Sequence, residues 1–435
     1  MVRLRHLLYA GACVWAGAAA AQAQQSLTPE EVQIKARVEA NFEAQVNFLE
    51  KIVNINSGTR NLPGVRAVGD VFDSEFKTLG FQNRWIDMPE GVDRAGHFYA
   101  EHSKGEGPRL LLMGHLDTVF AADSPFQKFV REGARAIGPG ATDMKDGDTV
   151  ILFALKALAS EGKLDKGTVR VFFTGDEESV GQPLEASRGE LIEIAKDSDV
   201  ALNFEGGAAG YAVIGRRGSS GWALDVKAKR AHSSGVFNDN VGAGAIFEAA
   251  RILNRFYGEV RGEHGLTFNP GVIAGGTFVT QGKNASEQAA FGKSNVVAQT
   301  AVVRGGLRFM NEDQKERTRK AMRAIVEDSL PHSEATITFS DSYPAMEETD
   351  ANRALLKELS DITVALGHEP LKSFPPEKRG AADISFVAPY VTSMDALGGS
   401  GGGSHTPNEW VNLDSVKLAT VRTAILLHRL LNAPK

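Results

Sequence analysis

Cysteine is almost missing from this chain: there is one, Cys13, and it falls within the first 23 residues. If that segment is removed on export no thiol remains, which excludes disulfides and cysteine metal ligands from the mature protein. A surplus of positive charge is lacking too. The 48 Lys and Arg stand against 54 Asp and Glu, a formal net charge of −6, so there is no electrostatic case for binding nucleic acid. Beyond the N-terminus no apolar run is long enough to span a bilayer. Hydrophobic residues at 42% and charged residues at 23% are ordinary for a chain that fills a core and coats a surface, which excludes disorder for its bulk.

What is present begins with a leader. Arg3, Arg5 and His6 precede an apolar stretch over 7–21 and the small-residue sequence Ala21-Gln22-Ala23, the pattern of a secretory signal peptide. Its apolar run is shorter than the roughly 20 residues of a spanning helix. An exported, periplasmic protein with no membrane attachment after leader cleavage is therefore expected. Losing Arg3 and Arg5 takes the basic count from 48 to 46 against 54 acidic residues, a formal charge of −8.

At 435 residues the chain exceeds one ordinary core, and two domains, one inserted in the other, are expected. The segment over 29–80 has helical spacing, with Val46, Leu49, Ile52 and Val53 on one face. Apolar runs over 109–113, 168–173 and 200–204 read as strands buried on both faces, with a helix over 150–159 between the first two. Strand, helix, strand at this spacing predicts an α/β core with a mainly parallel sheet flanked by helices. Near Arg217 the pattern changes to alternating strands over 222–228, 296–309 and 335–339, with helices over 243–257 and 312–328. This predicts an inserted α+β lid or dimerisation domain over 217–341. The catalytic domain then comprises 24–216 and 342–435, closing with a strand over 391–397 and a helix over 416–431.

The polar clusters sit where predicted core strands end, the place where open α/β sheets bind ligands. In Gly114-His115-Leu116-Asp117 residues two apart share a side, so His115 can ligate a metal while Asp117 holds its other ring nitrogen. Gly138-Pro139-Gly140-Ala141-Thr142-Asp143 delivers one carboxylate ahead of a helix, a position that also suits an N-cap. Asp176-Glu177-Glu178 places two acids on a turn, where one can bind metal and its neighbour can reach a water. Glu205 in Asn203-Phe204-Glu205-Gly206-Gly207 and His405 in Gly403-Ser404-His405-Thr406 complete the set. Each segment alone has an ordinary structural explanation; five at the strand ends of one sheet point to a metal centre.

In the order His-x-Asp, Asp, Glu-Glu, Glu, His, these residues resemble the co-catalytic zinc aminoacylases and carboxypeptidases, and within them the bacterial glutamate carboxypeptidases that cleave folates. The resemblance covers nearly the whole mature chain. It implies two Zn²⁺ per subunit, with Co²⁺ or Mn²⁺ as possible substitutes. Asp143 would bridge them, one ion completed by His115 and Glu205 and the other by Glu178 and His405, with Glu177 as general base. It further implies a homodimer formed through the inserted domain, whose His232 donates to a substrate oxygen. Asn295 and Arg308 match residues that hold the substrate's C-terminal carboxylate, and a guanidinium suits that task by pairing both oxygens. Arg217 falls where the glutamate-specific branch has a lysine, although beside Arg216 it also reads as half of a solvated arginine pair. The expected substrate is a small peptide or N-acyl amino acid, with glutamate released; an aminoacylase or dipeptidase shares every metal residue. Ala298 stands where a proline is common, and Ser179-Val180-Gly181 follows Glu178 in place of Lys-Gly-Ser.

Two further readings compete. Gly398-Gly399-Ser400-Gly401-Gly402 satisfies the G-x-S-x-G pattern of a serine hydrolase but lacks the helix expected after the serine. A metal-dependent scaffold without turnover would have no use for a general base at Glu177.

Overall fold

A computed structural model describes residues 26–282 and 287–433, so the leader over 1–23, with Cys13, lies outside the described residues. The central sheet has six strands in the order Gln82–Ile86, His97–Ser103, Thr168–Thr174, Arg109–His115, Val200–Asn203 and Thr392–Met394. Only His97–Ser103 runs against the other five. The fold is therefore the α/β class with a mainly parallel sheet that the apolar runs predict. Leu110 to Met113 and Val171 to Phe173 are wholly buried, because helices cover both faces of the sheet. The first strand, Gln-Asn-Arg-Trp-Ile, carries mostly polar side chains at the sheet edge and so leaves no apolar signal in the sequence.

Three helices, Pro29–Ala40, Phe42–Val53 and Leu62–Thr78, form the N-terminal layer. The first opens on a capping box in which Glu31 N donates to Thr28 Oγ1 (3.2 Å) and Thr28 N to Glu31 Oε2 (2.8 Å). Phe72 anchors the third helix on the sheet, its ring edge-on to Phe173 at 4.9 Å. The helix predicted over 150–159 begins at Lys145. Its first turn was hidden because Lys145, Asp146 and Asp148 are charged yet buried, which apolar periodicity cannot report. Conversely, of the strand predicted over 391–397 only Thr392–Met394 joins the central sheet, and Asp395 bridges to Val213 instead, because the chain then turns toward the glycine run.

From Gly218 to Asp341 the chain builds a separate antiparallel sheet, ordered Thr267–Gly276, Thr300–Phe309, Gly218–Ala228, Ser333–Asp341. Helices Ala245–Arg255 and Glu312–Glu327 belong to this unit, whose own core includes Trp222, Leu224, Phe256, Val303 and Met322. No helix among the described residues is long and apolar enough to cross a membrane.

A buried ionic knot ties the central strands to the C-terminal half. Arg188, from helix Leu184–Lys196, donates to Asp176 Oδ1 (2.6 Å) and Asp383 Oδ1 (2.8 Å), all three groups nearly inaccessible to water. Replacing Arg188 by alanine is expected to cost about 3–5 kcal/mol, because it strands two carboxylates without a counter-charge. Urea unfolding of the variant measures this; a loss below about 1 kcal/mol would mean that both acids reach water.

Candidate metal centre and active site

Parallel pairing brings the ends of three strands side by side, with His115 opposite Thr174 and Met113 opposite Asn203. The residues just past those ends are Glu177, Glu178 and Glu205. Asp143 arrives on the loop before helix Lys145–Ser160. His405 follows the short strand Gly401–Gly402 with a left-handed backbone (φ +63°), a conformation unusual for a side chain larger than glycine and typical of sites under functional constraint. Ser400 is followed by that extended segment and not by a helix, so there is no nucleophile elbow.

The chain thus gathers His115, Asp143, Glu177, Glu178, Glu205 and His405 in one place. Asp143 turns Oδ1 toward His115 Nε2 (3.4 Å) and Oδ2 toward His405 Nε2 (3.2 Å). Glu205 Oε1 lies 3.7 Å from His115 Nε2, and Glu178 Oε2 lies 3.1 Å from His405 Nε2. Ligand atoms of His115, Glu177 and Glu205 lie within 4.8 Å of one another, as do those of His115, Asp143 and Glu178.

These separations fit divalent cations. Bonds of about 2.0–2.2 Å in a tetrahedral site place ligand atoms about 3.3–3.6 Å apart. His115 Nδ1 lies 3.0 Å from the Asp117 carbonyl, so it is the donor and Nε2 presents a lone pair. That buried Nε2 has no hydrogen-bond partner and faces two carboxylate oxygens, an arrangement that calls for a positive charge between them. Burial lowers the proton affinity of His115, but Asp117 and Asp143 outweigh it and raise it well above the usual range. Hydrogen bonds to Asp143 and Glu178 push His405 up to about 10. Burial and the charge of Asp143 push Glu205 up to about 8. Burial, then Glu205, holds Glu177 well above the ordinary carboxyl range. The rise of both histidines expresses the excess of carboxylates in the cluster, while burial leads the rise of both glutamates.

Asp117 does more than hold the His115 ring. His115 Nδ1 donates to its carbonyl (3.0 Å), with its carboxylate at 3.5 Å. The carboxylate also accepts from Thr59 Oγ1 (2.6 Å), Glu177 N (3.0 Å) and Glu178 N (3.2 Å). It positions the paired glutamates, because two consecutive amides point at it from the turn. Arg216 is not half of a solvated pair: it is buried and donates to Asp395 Oδ2 at 2.6 Å.

Several supporting residues left no trace in the sequence reading. Glu409 accepts from the backbone N–H groups of Gly140, Thr142 and Asp143 at 3.2, 2.9 and 3.0 Å, fixing the loop that presents Asp143. Burial pushes Glu409 up to about 7, against the pull of those amides. Arg379 donates to Gly206 O (2.9 Å), next to Glu205, and Tyr343 Oη to Glu177 O (3.2 Å). The only cue to Glu409 was an acid four positions after His405.

The remaining expected residues lie on the second sheet's unit. His232 is exposed; its Nδ1 accepts from Ser234 N (3.2 Å), which leaves Nε2 to donate outward. Asn295 sits beside it, its carbonyl accepting from Ser233 N at 2.9 Å. Arg308 pairs across the sheet with Ser219 and Thr267. Its guanidinium is lowered by burial and by the charge of Arg217, so the two cations are neighbours. Arg217 donates to Gly265 O and Thr267 Oγ1, both at 3.3 Å. Among the described residues no hydrogen bond or ion pair joins these four side chains to the six clustered ones.

The chain is similar to known proteins along most of its length. The chain is 29% identical over 391 residues, 86% of each chain, to carboxypeptidase G2 of Pseudomonas sp. (strain RS-16). It is 25% identical over 350 residues, 76% of this chain and 85% of the other, to succinyl-diaminopimelate desuccinylase of Pseudomonas syringae pv. syringae (strain B728a). Among solved structures, Bacillus subtilis YXEP, described as a dinuclear metal binding peptidase, superposes with a TM-score of 0.61 at 14% identity, over 91% of this chain and 99% of that one. The family model that describes such enzymes matches residues 111–429, a span that contains every clustered side chain, and the chain belongs to peptidase family M20/M25/M40.

Proposed function

We propose that this metallopeptidase-family hydrolase is a carboxypeptidase that releases C-terminal glutamate from a peptide or N-acyl, folate-like substrate. The observation that carries the reading is Asp143, one oxygen toward each of two imidazoles, with Glu177 in the same cluster. His115 and Glu205 would hold one cation and Glu178 and His405 the other, with Asp143 shared; zinc suits this mixed set, cobalt or manganese less closely. When bound, such ions polarise the amide carbonyl and lower the pKa of a water to about 7.

The chain's own residues supply the rest. Glu177 takes the proton of the attacking water and hands it to the departing amine. Asp117 keeps that carboxylate in place through the amides of residues 177 and 178. His232 donates Nε2–H to the oxygen on which charge develops. Asn295 and Arg308 hold the substrate's α-carboxylate, and the pairing of Arg308 with Arg217 supports a dianionic glutamate leaving group. The exposed Phe237, Ile246, Phe247, Ile273, Phe278 and Phe291 support a homodimer through this unit. The leader supports export to the periplasm.

Mature protein, with and without chelator, is to be assayed on folyl-glutamate, N-acyl neutral amino acids and dipeptides. Chelator-sensitive release of glutamate is expected; cleavage that ignores the chelator, or a preference for neutral N-acyl substrates, overturns the reading. Arg308→Ala should raise KM about 10–100-fold for substrates with a free α-carboxylate, the worth of a hydrogen-bonded charge pair. An unchanged KM removes Arg308 from the site. Glu409→Ala should weaken metal binding about 10–100-fold by freeing the Asp143 loop, as measured by competition with a chelating dye. Undiminished affinity would show that this loop holds its shape without Glu409.

A further inference from the structure

Along helix Leu413–Asn432, Ser415, Leu418, Ala419, Arg422 and Leu426 recur at helical spacing and line one cavity, Ala419 and Leu426 buried and Ser415, Leu418 and Arg422 half-buried. An arginine in such a stripe is out of character. Its Nε is buried without a hydrogen-bond partner, and among the described residues no carboxylate lies within ion-pairing distance of it. Arg188, Arg216, Arg319 and Arg379 also leave one nitrogen unpaired, but each satisfies others. Arg422 satisfies none. Burial alone draws its guanidinium down to about 10, with no acidic group opposing. A buried N–H without an acceptor costs free energy that a ligand oxygen in the adjoining cavity would recover.

Arg422 lines a cavity of about 330 Å³, a size suited to a small molecule. Its walls are largely apolar, among them Leu359, Leu371, Leu397, Leu418 and Leu426. Hydroxyls of Ser400, Ser415 and Thr423 are the other polar groups beside the helix, while His368 and Glu369 lie on the exposed side. None of the metal-cluster residues lines it. Two of its walls nevertheless continue into the centre: Gly207 to Ala212 follow Glu205, and Gly398 and Ser400 precede His405. These walls are stitched together where Gly207 N donates to Gly399 O at 2.8 Å.

We propose that this cavity is a second ligand site, separate from the metal centre, that takes a small monocarboxylate with an apolar body, its carboxylate paired with Arg422. One guanidinium matches one carboxylate in a two-point pair, and the leucine walls accept a ring or short chain. A dianion such as inorganic phosphate would lack further cationic partners there.

Benzoate is the probe, benzamide its neutral counterpart, and the metal-loaded enzyme the target. Calorimetric titration of wild-type protein should show a benzoate site that survives Arg308→Ala, is lost in Arg422→Met, is weakened at least tenfold in Arg422→Lys, and ignores benzamide. Turnover of substrate without benzoate should be the same in wild type and Arg422→Met. Thermal unfolding separates a ligand site from a structural arginine: Arg422→Met without ligand should melt no lower than wild type, and benzoate should raise the midpoint of wild type only. Benzoate binding retained in Arg422→Met, equal binding of benzamide, or a marked fall in the melting midpoint of both Arg422 variants overturns the proposal.

Discussion

Glu177→Gln is expected to lower turnover about 10²–10⁴-fold, the worth of a positioned general base, while the metal content stays at that of the wild type. The amide keeps the size of the carboxylate and removes its capacity to accept a proton. Folding should be unaffected, because the glutamate side chain donates and accepts no hydrogen bond within the protein among the described residues; only its backbone is held, through N–H to Asp117 and the carbonyl to Tyr343. Steady-state rates and elemental analysis of the same preparation test both halves of the statement. Metal loss in this variant would make Glu177 a ligand and reverse its role with Glu178.

Asp143→Asn should have the largest effect of any single substitution, a fall of about 10⁴-fold or more, because every contribution of both cations goes with it. The geometry supplies the reason. Each oxygen of Asp143 serves a different imidazole, at 3.4 and 3.2 Å, so one lost charge is felt on both sides. Asparagine preserves the volume, and the amide N–H of residue 143 still binds Glu409, so the loop should keep its place. Metal content should drop for both positions together. A variant that retained one full equivalent of metal with tight affinity would show that Asp143 belongs to a single ion.

Much of this was legible in the chain. Leu110 to Met113 and Thr168 to Phe173 read as buried strands because a parallel sheet covered on both faces demands unbroken apolar side chains. His115, Asp143, Glu177, Glu178, Glu205 and His405 were recognisable as a set because each follows a strand or a glycine-rich turn and carries a group with little structural use there. Residues that act through the backbone were not legible. Glu409 binds three amides and Asp117 two, and nothing in a side chain's identity reveals which N–H it will meet. Charged groups inside the fold were equally hidden: the first turn of helix Lys145–Ser160 and the Arg188 knot look like surface until the chain closes over them.

The order of residue types along the chain determined the α/β class and the inventory of metal-binding groups, since both follow from local periodicity and from which side chains can donate to a cation. Only the tertiary structure decided that Asp143 faces two imidazoles at once, that Asp117 steadies the paired glutamates, and that Arg422 looks into a cavity without a counter-charge. Those properties depend on distances between atoms tens to hundreds of residues apart, which are set by how the sheet pairs and the helices pack.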